Sequence, residues 1–486
     1  MFGIEKQVDI SGCRQVIGGC EHSARMTLAE RGGRAVMRVL SKDARVVAVS
    51  AVPAGGDVDV SGKVVCTAVC EIAGGEIVCL EYLGGFSFSH KVSGVRAGSS
   101  CDVSADIRGV RVVRASGCEV VLEVDFGVYE NFAVQGGEVA VVSAEGCYCE
   151  VDNVVSTASV LKVHNFTALA EMEVDSGIAL VLARYFCAEV ENISAREGSC
   201  VVSGNVHGFV SFLDGAGGVK NQACSFPFRE EFSCEGADDF GTFARTLEHS
   251  VVCEVNEVRG VSVVTCEVEV EISLWGFSAV KFERGRDFFS DKVQILAENA
   301  EFVSSDFCGC EQAFGKFSDV VAFPYELPSD VCIGSARVAG VSRRGESCVF
   351  DCELAVTVCG NDLKFSEFAV KAEIAFPASG DGKTTVCDVG VCEIDCRIAG
   401  SKVEIFGKLC GNLLVCCERR ETVVSALSCG DEKPDGGGGF VLYRAENGET
   451  LLDVCEAVGV MPDLLKTQNP NVEFPVVGER KVVVWK

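Results

Sequence analysis

The sequence predicts a mainly β, multidomain chain: three sandwich- or barrel-like repeats followed by a small β-α-α-β unit. Three observations predict it. Apolar and acidic residues alternate with period two in segments such as "VEVEISLW" (268–275), as on a half-buried strand. Valine is abundant, proline numbers only 9 and glycine 53, the balance of β-branched strands punctuated by Gly turns. Similar segments also recur at a constant offset of 148 residues.

The recurrence sets the order of the elements. "CAEVENISAREGSCVVSGNV" (187–206) aligns without a gap on "SARVAGVSRRGESCVFDCEL" (335–354), with seven of twenty positions identical. "DARVVAVSAVPAGGDVDVSGKV" (43–64) is a third copy with two residues added near the turn. "CEVVLEV" (118–124) returns as "CEVEVEI" (266–272), and "SKVEIFGKL" (401–409) is a weaker third copy. Phenylalanine-rich segments lie between, at 84–92, 224–232 and 363–374. The expected units are residues 1–134, 135–290 and 291–428. A period near 145 is too long for a stacked solenoid, so each unit is expected to hold its own core, as a bead on a string. Outward Asp and Glu would keep the strand edges from pairing with other chains.

The segment 429–439, "CGDEKPDGGGG", has five glycines and reads as a flexible linker with a reach of about 18 Å. From Phe440 the periodicity changes. "FVLYRAE" predicts a short strand. "NGETLLDVCEAVG" predicts a helix, with Leu451, Val454, Cys455 and Val458 on one face and Gly459 as its stop. "MPDLLKTQNPN" predicts a second helix with Pro462 in its first turn, and "RKVVVW" a closing strand.

Residues 443–485 resemble a LysM module. The motif positions are Tyr443, Gly448-Glu449-Thr450-Leu451, Gly459-Val460, Leu464-Leu465 and Asn469-Pro470-Asn471, with Glu449 where the family prefers Asp. The resemblance implies a shallow groove between two loops, 448–452 and 469–472. Its binding residues would be Gly448, Glu449, Thr450, Leu451, Leu452, Asn469, Pro470, Asn471 and Val472. Gly448, Thr450 and Asn469 read equally well as plain turn and cap residues. Three β-rich units followed by one LysM resemble the SPOCS-domain proteins of endospore-forming bacteria. That resemblance implies a non-enzymatic scaffold or adaptor for spore coat assembly in the mother-cell cytoplasm. It would be recruited to the forespore surface by the ATPase of the coat's basement layer or by another coat protein. The alternative it carries is a binder of peptidoglycan or another N-acetylglucosamine-containing glycan.

The composition narrows the partners. A net charge of −28, from 71 Asp and Glu against 43 Lys and Arg, opposes nucleic acid and anionic membrane surfaces and favours basic protein patches. No basic segment followed by an apolar core opens the chain, and no run of about 18 apolar residues occurs, which predicts a cytoplasmic protein without membrane insertion. The 29 cysteines show no C-x-x-C pair, and the five histidines are scattered, so reduced, mostly buried thiols are expected and no metal or other cofactor. "PASGDGKTT" (377–385) imitates a phosphate loop, but Pro377 occupies the first Gly position and a strand pattern follows. Asn165 and Asn192 head glycosylation sequons by pattern only. No nucleophile, base and orienting residue group together, so no catalysis is expected.

Overall fold

The structure, a computed structural model, describes residues 4–174, 177–196, 198–234, 241–258, 261–328, 330–345, 347–360, 363–377, 383–433 and 438–486. It is mainly β. The first six strands are β1 (Ile4–Ala29), β2 (Val36–Ala54), β3 (Asp57–Ile72), β4 (Ile77–Lys91), β5 (Ser100–Ser116) and β6 (Glu119–Ala144). They build two antiparallel sheets, ordered β2-β3-β4 and β1-β6-β5.

This connectivity recurs. Next come β7 (Tyr148–Val174), β8 (Ile178–Arg196), β9 (Ser199–Asp214), β10 (Val219–Ser233), β11 (Gly241–Val258) and β12 (Val261–Phe289). They form sheets β10-β9-β8 and β11-β12-β7. Then β13 (Val293–Val321), β14 (Val331–Arg343), β15 (Val349–Gly360), β16 (Phe365–Ala375), β17 (Lys383–Ala399) and β18 (Lys402–Glu432) form sheets β14-β15-β16 and β13-β18-β17. The gap-free alignment of 187–206 on 335–354 superposes the β8–β9 hairpin on β14–β15, and 43–64 is β2–β3. The segments 118–124, 266–272 and 401–409 lie in the first part of the central strands β6, β12 and β18, and the Phe-rich segments lie in β4, β10 and β16.

Within each set the two sheets close on one apolar cluster. Val58, Val60, Leu122 and Phe126 are fully buried in the first, Val202, Val206, Val268 and Ile272 in or near the centre of the second, and Leu354, Val356, Ile405 and Leu409 in the third. Alternation along β3, where Val58 and Val60 face in and Asp57 and Asp59 face out, is the physical cause. Cysteine fills such inward positions as a small hydrophobe: Cys66, Cys70, Cys200 and Cys266 have no exposed surface. Burial lifts the Cys66 thiol to about 12, so it stays protonated. One pair departs from the expected free thiols. Cys392 and Cys410, on adjacent strands with Cα atoms 6.0 Å apart, are joined through their sulfurs.

The expectation of short strands and separate beads is corrected. Strands β6, β7, β12, β13 and β18 run 26 to 31 residues, several times the usual length. Their far ends leave their own sandwiches and pack on one another. Ala133, Trp275, Phe277, Leu414 and Cys416 form one shared cluster, and Ala140, Val154, Phe282, Phe302 and Val423 another. A boundary at 134/135 accordingly falls inside β6, and one at 428/429 inside β18. Cys429 pairs with Ile295 and Glu432 with Val293, so the first four residues assigned to the linker complete a ladder. Backbone pairing needs no apolar side chain, which is why the glycine- and charge-rich sequence concealed it. Residues 434–437 of that segment lie outside the described residues, as does the Gly-Asp-Gly turn at 380–382; Lys383 and Thr384 already belong to β17.

The tail contains β19 (Phe440–Ala445), α1 (Leu451–Val458), α2 (Pro462–Gln468) and β20 (Arg480–Trp485), with β19 antiparallel to β20. Among the described residues, no helix is long and apolar enough to cross a membrane.

Candidate functional site

The two loops singled out in the tail are held by local capping chemistry. Thr450 caps α1: its Oγ1 accepts from Asp453 N at 3.2 Å, while Asp453 Oδ2 accepts from Thr450 N at 2.8 Å, a reciprocal capping box. Gly459 ends the helix at φ 68°, where a side chain would be strained. Glu449 does not cap. Its carboxylate accepts from Tyr443 Oη at 2.7 Å and from Glu446 N at 2.8 Å, tying the loop back to β19. That bond also raises the Tyr443 phenol above its ordinary value. Asn469 is buried and joins α2 to β20: its Nδ2 donates to Leu465 O (3.0 Å) and Val483 O (2.7 Å), and its Oδ1 accepts from Val483 N (2.8 Å). Both amide protons of Asn469 are thereby engaged inside the tail.

The two loops line one cleft of about 630 Å3, to which Thr450, Leu451, Asn469, Pro470 and Val472 contribute. Pro470 is exposed and Thr450, Leu451 and Val472 are half-buried, while exposed Gly448 and Asn471 and half-buried Glu449 lie outside the lining. Leu452 instead points into the tail's core beside Val454, Cys455 and Val458. Burial raises the Cys455 thiol to about 12.

The opposite wall comes from strands far earlier in the chain. Tyr148 and Glu150 of β7 and Arg286 of β12 line the same cleft, together with Lys466, Phe474 and Pro475 of the tail. Phe289 and Tyr148 belong to the tail's apolar cluster. Lys433, just after β18, lies with its Nζ 4.5 Å from the Phe289 ring centroid and donates to Ser290 O at 2.9 Å. The tail therefore packs on the ends of β7 and β12. Arg286 sits 3.4 Å from Glu150 and 3.0 Å from Asp287, which balance its charge. Burial, then Glu150, raises the Tyr148 phenol. These wall residues carry no motif in the sequence. Only the fold brings 148–150 and 286 to the tail.

The cleft is mixed in character: Leu451, Pro470, Val472, Phe474 and Pro475 line it beside Glu150, Thr450 and Asn469, with Lys466 from the tail and Arg286 from β12 as its cations. In comparison with known proteins, the chain matches no family model, no curated protein and no solved structure.

Proposed function

We propose that this chain is a non-enzymatic scaffold in spore coat assembly: three SPOCS-like repeats that present a C-terminal LysM-like head to a coat protein on the forespore surface. The basement-layer ATPase is the favoured partner and the mother-cell cytoplasm the favoured compartment. The observation that carries the reading is that the two motif-bearing loops, far apart in the tail sequence, line one open cleft. The β-α-α-β order of 440–486 and the threefold recurrence of strand connectivity support it. The net charge of −28 adds long-range attraction toward a basic partner.

The glycan-binding alternative draws less support. Thr450 and Asn469, the polar residues best placed to grip a sugar, have their side chains committed to caps. The deciding experiment follows fluorescent full-length protein in sporulating cells beside a chain stopped after Lys433. Loss of the forespore rim signal in the shortened chain, with its β structure intact by circular dichroism, is the expected outcome. A shortened chain that still outlines the forespore sinks the docking role.

A further inference from the structure

A second constellation lies far from the tail, where the second and third strand sets meet. Glu189 on β8, Cys392 on β17 and Cys410 on β18 bring one ligand atom each to within 4.8 Å of one another, and all three residues are buried. Glu189 Oε2 is 3.6 Å from Cys392 Sγ and 3.2 Å from His207 Nε2. A tetrahedral zinc-type ion with bonds of about 2.3 Å to sulfur and 2.0–2.1 Å to nitrogen and oxygen needs S···O near 3.6 Å and N···O near 3.4 Å. The Glu189–Cys392 spacing is that S···O edge, and the two sulfurs, bonded to each other here, would part on reduction to complete the S···S edge.

The local backbone is shaped for it. Cys392 is the extra residue of a β-bulge, between Val391 opposite Leu409 and Glu393 opposite Lys408, and a bulge re-aims its side chain. Gly390, paired with Cys410, leaves open the space beside it: a Cβ there would collide with Cys187 Sγ and lie 3.6 Å from Cys410 Sγ. On β8–β9, His207 pairs with Cys187 and so stands diagonally across from Glu189. Glu189 and Cys410 also line a chamber of about 460 Å3 among the three strand sets, an access route for an ion.

We propose that the reduced protein binds one zinc-type divalent cation through Glu189, Cys392 and Cys410, with His207 holding the Glu189 carboxylate from behind, clamping the second strand set to the third. A phosphine reductant breaks the Cys392–Cys410 bond, leaving two thiols and the phosphine oxide, with water supplying the oxygen and both protons. The cation then displaces those two thiol protons and takes the dithiolate and the Glu189 carboxylate, with water from the adjoining chamber as the fourth ligand. Sequence spacing could not reveal the site, because His207 and Cys392 are 185 residues apart and neither sits in a metal-type motif.

The test titrates the phosphine-reduced full chain with Co2+ without air and follows the thiolate-to-metal charge-transfer band and the tetrahedral visible bands. The expected result is one tight equivalent, lost in Cys392→Ser and in Cys410→Ser. His207→Ala should bind at least tenfold more weakly. If a cysteine variant fails to fold, His207→Ala, whose side chain is 19% exposed, carries the same test. A cobalt spectrum without a thiolate band, or one unchanged in these variants, overturns the proposal. So does a Cys392–Cys410 bond that survives the phosphine, read by alkylation and mass spectrometry.

Discussion

At the scale of single residues, the tail shows how many of the expected site residues hold the tail itself together. Asn469 stands where a ligand contact was expected, yet its amide is the hinge pin between α2 and β20. Replacing it by alanine takes their side-chain partner from Val483 O and Val483 N in a half-buried place, while Leu465 O keeps the backbone N–H of residue 469. The expected cost is about 1–3 kcal/mol of local stability. Hydrogen exchange over 440–486 should quicken accordingly, with the strand sets unchanged; unaltered exchange would mean these bonds contribute nothing. Thr450 was legible as a helix start because Thr-x-x-Asp is a capping signature in its own right. Nothing in the sequence marked Glu449 as a brace for Tyr443, since that bond depends on how β19 folds back.

At the scale of elements, what could be read depended on periodicity. The hairpins β2–β3, β8–β9 and β14–β15 were legible because alternation and turn glycines such as Gly198, at φ 80°, both act locally. Strand length was not. In β12 alternation holds from Val264 to Ile272, then Leu274, Trp275, Gly276 and Phe277 are buried in succession because both faces are covered. A run buried on both faces carries no period. The tail's seat on Phe289 was equally hidden, since contact between elements over 150 residues apart leaves no local trace. Phe289→Ala removes the ring that the tail cluster and Lys433 share. The expected loss is on the order of 3 kcal/mol at the contact. Exchange should then rise in α1 and at the end of β12 while the β8–β9 hairpin keeps its protection. An α1 as protected as before would show that the seat on Phe289 adds no stability to the tail.

At the scale of the whole molecule, the three sandwiches are joined by apolar clusters and by buried polar links. Arg245 of β11 donates to Asp102 of β5 at 2.5 Å and to Val103 O at 2.7 Å, and Trp275 Nε1 donates to the same carboxylate at 3.3 Å. Around the central chamber, burial lifts Asp388 to about 7 and Asp106 to about 6, with Arg245 opposing in both cases. A folded value above the ordinary 3.8 means the native state holds a proton that the unfolded chain has released. This contribution is complete below pH 4 and is lost as pH rises through about 7. Asp388→Asn should therefore flatten the fall in thermal midpoint between pH 5 and 8. Because Asp388 faces a chamber and is only half-buried, the expected gain at pH 8 is about 1 kcal/mol. Identical pH profiles for the two proteins would refute the assignment.

One long ladder joins Val293 to Glu432, and the ends of β6 and β12 pack on residues 414–427. During synthesis, then, the ribosome must have delivered nearly the whole of β18 before greasy surfaces made hundreds of codons earlier can be hidden. Such distant closures are slow and leave the nascent chain open to clumping.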